Sequence, residues 1–187
     1  MPVLYKTAAI ALLLCVCFCS NTPVTVARPG VLDGNRFVRV ENLTAAFNIR
    51  HSGTHRFFYG KGSRRARDRD RRLQNESTAL DGYVQKQVRR KLVLTGFSPV
   101  NTAGTNGRPA GLVFRGAMNV ELTRGFLLDS ARVTFRGELL SLEDGRVVAS
   151  GLVKEGFLPG SPRKFADLLN DELDRPIRVW FETLDRG

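Results

Sequence analysis

The chain has 187 residues, 42% of them apolar and 25% charged, with a formal net charge of +11. That length and apolar content are those of a globular chain with one real core rather than a wholly disordered one. All three cysteines, Cys15, Cys17 and Cys19, lie in or beside the first apolar run, which excludes a disulfide framework for a chain cleaved beyond it.

The amino-terminal stretch has the plan of an export signal. Lys6 precedes the apolar run Ala8 to Phe18, and Cys19-Ser20-Asn21-Thr22 follow. A positive head, an h-region of roughly ten residues and a small, polar cleavage zone make residues 1–27 a removable leader ending at Ser20 or Ala27. The run is too short for a bilayer span, which needs about 20 apolar residues. No transmembrane span is therefore expected in the mature chain. A bacterial lipobox places a small residue before its cysteine, whereas Leu14, Val16 and Phe18 precede these three. The expected location is secreted or extracytoplasmic: extracellular, or periplasm and envelope in a bacterium.

Residues 28–77 read as a basic extension or propeptide. Residues 21–79 carry 12 Lys/Arg against 5 Asp/Glu, while residues 80–187 carry 16 against 13. Phe37 to Val40 suits a short strand, and Ala45–His51 and Thr54–Tyr59 suit a hairpin across Ser52-Gly53. The tract Lys61 to Arg72 has almost no apolar side chain, so residues 60–77 are expected to be a disordered linker.

From residue 78 the patterns sharpen. Thr78 and Asp81 suit a helix start, and Leu80, Val84, Val88 and Leu92 recur every four residues. Gly96 supplies a left-handed cap. Residues 101–110 read as a loop. Leu112 to Leu122, Val133 to Leu139 and Val147 to Lys154 alternate as strands, the last two joined by the turn signal Asp144-Gly145. Ser161 and Pro162 suit a second helix start, with Phe165, Leu168, Leu169 and Leu173 as its face and Pro176 as its end. Ile177, Val179 and Phe181 then alternate as a closing strand. The expected fold is α+β: an antiparallel sheet of about four strands with two helices on one face, occupying residues 78–187.

Little in the chain carries chemistry. His51 and His55 are the only histidines, and Ser52-Gly53 between them argues for a turn rather than a metal site. There is no G-x-S-x-G, no P-loop and no dinucleotide fingerprint. Gly104 to Gly107 lacks the strand and helix that phosphate binding needs. Glu143-Asp144 and Asp171-Glu172 read as solvated pairs. No catalytic residue, cofactor or metal is expected, and an extracellular hydrolase with an unrecognised site is the remaining enzymatic reading.

The arginine tract has three readings. Arg69-Asp70-Arg71-Arg72 resembles the R-x-R-R recognition sequence of furin-like processing proteases, which implies maturation after Arg72. The cluster Arg64, Arg65, Arg67, Arg69, Arg71 and Arg72 could bind a polyanion such as acidic lipid or sulfated glycan, with Asp68 and Asp70 diluting its field. No aromatic residue is interleaved for base stacking, which argues against sequence-specific nucleic-acid binding. The third reading is a solvated linker. Arg71-Arg72-Leu73-Gln74 also resembles the R-x-L-R translocation motif of oomycete effectors, with glutamine in the last position, and implies a host-directed secreted effector. Residues 80–182, with Asp144-Gly145-Arg146-Val147-Val148 in the meander, are similar in architecture to small envelope lipoproteins of bacteria. Asn42-Leu-Thr44 and Asn75-Glu-Ser77 are glycosylation acceptor triplets. The function expected is that of an exported, non-enzymatic binding protein with a protein or polyanionic partner.

Overall fold

The computed structural model describes residues 22–34, 36–52, 64–100, 110–125, 128–160, 162, 165–168 and 171–186. In chain order these form β1 (Thr22–Val26), α1 (Pro29–Gly34), β2 (Phe37–His51), α2 (Arg64–Glu76), α3 (Leu80–Leu94), β3 (Ser98–Val100), β4 (Leu112–Arg124), β5 (Asp129–Ser141), β6 (Val147–Gly160) and α4 (Asp171–Arg186). Short 3-10 turns at Ser77–Ala79 and Phe165–Asp167 precede α3 and α4.

The described strands make one mixed sheet of six, ordered β1-β6-β5-β4-β2-β3. This corrects the expectation of an antiparallel sheet of about four strands. β4, β5 and β6 are an antiparallel meander, as their alternation predicts, and Gly145 takes a positive φ of 67° in the β5–β6 turn. β2, however, runs parallel to β4 along its whole length. Parallel neighbours need a crossover, and α2 with α3 supplies it by carrying the chain back to the end where β2 began.

The boundary expected at residue 78 therefore does not separate two structures. Phe47 of β2 and Leu73 of α2 belong to the same buried core as Leu80 and Phe114. Residues 45–51 are the second half of β2 rather than one arm of a hairpin, and 54–59 lie outside the described residues. Residues 64–76 of the expected disordered linker are helical.

α4 overturns the expected closing strand. Leu173, Ile177, Trp180, Phe181 and Leu184 are all buried, at helical spacing. Ile177, Val179 and Phe181 also alternate, so a short window fits either period. Pro176 sits inside the helix and is itself buried. It forfeits one backbone hydrogen bond, and five apolar side chains on one face outweigh that loss at roughly 1.5–3 kcal/mol each.

α3 and α4 lie against the same face of the sheet. Buried on that face are Leu112, Phe114, Met118, Val120 and Leu122 of β4, with Val133, Phe135 and Leu139 of β5. Three glycines stand in one row across the sheet, Gly116 opposite Gly137 and Gly137 opposite Gly151. Trp180 fills the space above the middle one. A Cβ added at Gly137 would lie 2.7 Å from its Cε2 and 2.9 Å from its Nε1. Phe114 meets the indole edge-on at 5.2 Å between ring centres and stacks on Phe181 at 5.5 Å.

Two measurements test this packing. Gly137→Val drives a branched side chain into the indole and should cost about 1–3 kcal/mol, read as a lower denaturant midpoint with an unchanged slope. At the β5–β6 turn, the Arg146 backbone N–H and then the Arg28 guanidinium hold the Asp144 carboxyl below its ordinary range. A lowered folded-state pKa adds stability above the unfolded-state value and loses it as pH falls through the folded-state value. The melting temperature of wild type should therefore lose its margin over Asp144→Asn on acidification below about pH 4.

Candidate functional site

The arginine tract is a 13-residue helix whose own sequence does not hold it. Arg64 opens it, no acid occupies its first turn, and a cation there opposes the helix dipole. Isolated helices of this length are marginal in water. Three tertiary contacts fix it. Leu73 is fully buried in the core. The Gln74 Nε2 donates to the Phe47 carbonyl at 3.1 Å. Asp70 takes two hydrogen bonds from Arg124, Nε at 3.1 Å and Nη2 at 3.0 Å.

Arg124 is the centre of this site. It ends β4, is 1% exposed, and pairs through Nη1 with Asp129 at the start of β5. The Gly125 N–H also donates to Asp129 at 3.3 Å. His51, the last residue of β2, places Nε2 at 3.2 Å from the other Asp70 oxygen. Four elements thus meet at one end of the sheet around one buried guanidinium, which two carboxylates flank. No group of three or more His, Cys, Asp or Glu side chains able to hold a metal occurs among the described residues. His51 faces Asp70, and His55 lies outside the described residues.

Turning Asp70 inward changes the surface. With Leu73 and Asp70 facing the core, Arg64, Arg67 and Arg71 follow one another at helical spacing on the outer side and are exposed, with Arg72 exposed beside them. Arg69 is half-buried, and its Nε has no hydrogen-bond partner among the described residues. Arg65 lies in the first turn of the same helix. Asp68 alone of the tract's two aspartates remains exposed among these arginines. The sequence pattern locates the arginines, but only the fold separates them from Asp70.

The R-x-R-R segment lies within α2, and the bond after Arg72 joins it to the fully buried Leu73. A protease that reads an extended segment must first unwind this helix. Of the glycosylation triplets, Asn42 falls in β2, where the register with β4 shifts between Glu41 and Leu43. Asn75 is exposed in the last turn of α2, and its carbonyl accepts the Thr78 hydroxyl at 3.0 Å.

No family model matches the chain, and no curated protein does. Solved structures with a similar course include the PelC dodecamer from Paraburkholderia phytofirmans, 13% identical with a TM-score of 0.45 over 80% of this chain and 88% of that one. Protein XCC0632 from Xanthomonas campestris is 16% identical with a TM-score of 0.46, over 81% and 85%. Lipoprotein GNA1162 from Neisseria meningitidis is 9% identical with a TM-score of 0.37, over 79% and 100%. Scores and identities this low carry no argument about what this chain does. No helix among the described residues is long and apolar enough to cross a membrane.

Asp70→Ala tests the anchor. Losing its bonds to a buried guanidinium should cost about 1.5–3 kcal/mol, and α2 should open ahead of the sheet. Limited trypsin digestion should then cut after Arg71 or Arg72 at least tenfold faster than in wild type, while cleavage after Arg132 in β5 stays slow. An unaltered digestion pattern would mean that the Arg124 pair does not hold α2.

Proposed function

We propose that the chain is an exported, non-enzymatic binding protein that recognises a polyanionic partner through the outer face of α2. One observation carries this reading: Asp70 is spent on Arg124 inside the fold, while Arg64, Arg67, Arg71 and Arg72 stay exposed on the solvent side. A surface of like charges destabilises the chain that bears it and attracts the opposite charge. Arginine suits the task, because its planar fork can meet carboxylate, sulfate or phosphate oxygens in pairs.

The leader-like residues 1–27 support export, and the resemblance of residues 80–182 to small envelope lipoproteins makes the bacterial cell envelope the place where we put the protein. Against catalysis stands the use of the best polar cluster. Arg124, Asp70 and Asp129 are committed to one another at the junction of sheet and helix. Maturation after Arg72 would require α2 to unwind and would separate the outer arginines from the rest of the fold.

Heparin chromatography of the full chain tests the reading. Wild type should be retained and should elute with salt, because screening weakens charge contacts. Replacing Arg64, Arg67, Arg71 and Arg72 together by serine should move elution to markedly lower salt. Retention equal to wild type in that variant overturns the assignment of the face.

A further inference from the structure

The basic face does not stop at the end of α2. Residues 64–76, 77–79 and 80–94 follow one another without a reversal of the chain, and Glu76, Ala79 and Leu80 all keep right-handed helical dihedrals. The inward stripe is continuous too: Leu73, Leu80, Val84, Val88 and Leu92 are each at most 1% exposed. A run with one inward stripe has one outward side. Beyond the arginines of α2, that side presents Lys86 and Arg90, exposed one helical turn apart. Leu94 stands a further turn along and is 67% exposed, with Val93 at 59% beside it. Asp81, the acid at the start of α3, is exposed but engaged at the sheet edge: its Oδ1 accepts the Ala45 backbone N–H at 2.7 Å. Of the four acids in the run, Asp70 is held by Arg124 and Asp81 by the Ala45 N–H, while Asp68 and Glu76 remain exposed beside the cations, which outnumber them.

Resting on the polyanion reading above, we infer that the partner is an anionic phospholipid surface, met by the outward side of the whole 64–94 helical run. The arginines, Lys86 and Arg90 contact lipid phosphates, and Val93 and Leu94 enter the boundary between headgroups and acyl chains. Charge complementarity selects the sign of the partner. The aliphatic pair selects the bilayer over a sulfated glycan, because a glycan offers nothing to bury Val93 and Leu94 against, whereas a lipid interface rewards cationic and aliphatic side chains on one helix side. Each Lys or Arg near an anionic leaflet adds to the attraction, which fades beyond a Debye length. The surface is peripheral: the helices stay packed on the sheet, and only exposed side chains change their surroundings.

Vesicle co-sedimentation of the full chain distinguishes this from the broader reading. Vesicles containing phosphatidylglycerol should bind the protein, and vesicles of phosphatidylcholine alone should leave it in the supernatant. Val93→Ser with Leu94→Ser, at exposed positions that leave the core intact, should weaken vesicle binding at least tenfold while heparin retention stays at the wild-type salt concentration. Lys86→Ser with Arg90→Ser should lower both. Failure of the anionic vesicles to bind, or equal vesicle binding by the Val93/Leu94 double variant and wild type, overturns the lipid inference. If heparin retention persists in that case, the polyanion reading survives. Loss of affinity for both vesicles and heparin in wild type overturns both.

Discussion

Burying a guanidinium is the constraint around which this fold is arranged. Arg124 is 1% exposed, and a charge removed from water that far costs several kcal/mol unless it is paired and hydrogen-bonded. One partner, Asp129, comes from the next strand and needs only the turn between β4 and β5. The other, Asp70, is 54 residues away in sequence and arrives only if α2 lies across the end of the sheet. The pair thus fixes the helix as much as the helix completes the pair. It also decides what the surface looks like, because a helix turned to offer Asp70 inward must offer Arg64, Arg67 and Arg71 outward.

The helical run also solves a problem of the sheet. β3 pairs with Phe37, Val38 and Arg39, so among the described residues the outer edge of β2 from Val40 onward has no strand beside it. An open edge invites pairing with other chains. Two side chains of the helical run reach that edge instead, Asp81 to the Ala45 N–H and Gln74 to the Phe47 carbonyl. Further along the sheet, α4 is set by the glycine row. Gly137 leaves just enough height for Trp180, whose neighbours Phe114 and Phe181 then close the centre of the core. Each helix is therefore positioned by a specific demand of the strand beneath it, and the exposed basic side follows from those demands.

Where one period ruled a long window, the sequence was readable. α3 shows four buried positions at strict spacing, and the meander β4–β5–β6 alternates over a dozen residues or more. β2 was harder because its alternation changes parity. Val38 and Val40 are the inward residues before the irregularity at Glu41/Leu43, and Leu43, Ala45, Phe47 and Ile49 are the inward ones after it. An inserted residue breaks a period-two pattern into two short halves, each of which looks like an isolated fragment. α4 failed for the opposite reason, since Ile177 to Phe181 satisfies two periods and Pro176 suggested a terminus that the packed face of the helix overrides. As for the candidate site, the arginines themselves stand out in the composition. The direction they face and the fate of Asp70 do not, because an inward stripe of Asp70 and Leu73 leaves almost no apolar periodicity to detect.

By itself the sequence determined the elements whose partners are near in the chain: the amphipathic α3, the three-strand meander and its Asp-Gly turn, and the concentration of positive charge between residues 64 and 72. Such features follow from side-chain spacing and turn stereochemistry, which act over a few residues. The tertiary structure alone decided that β2 pairs parallel to β4, that the arginine tract is a helix, and that Asp70 turns inward to Arg124 while Arg64, Arg67, Arg71 and Arg72 stay exposed. Those outcomes depend on which distant group satisfies a buried charge or an unpaired strand edge, and local pattern carries no record of that choice.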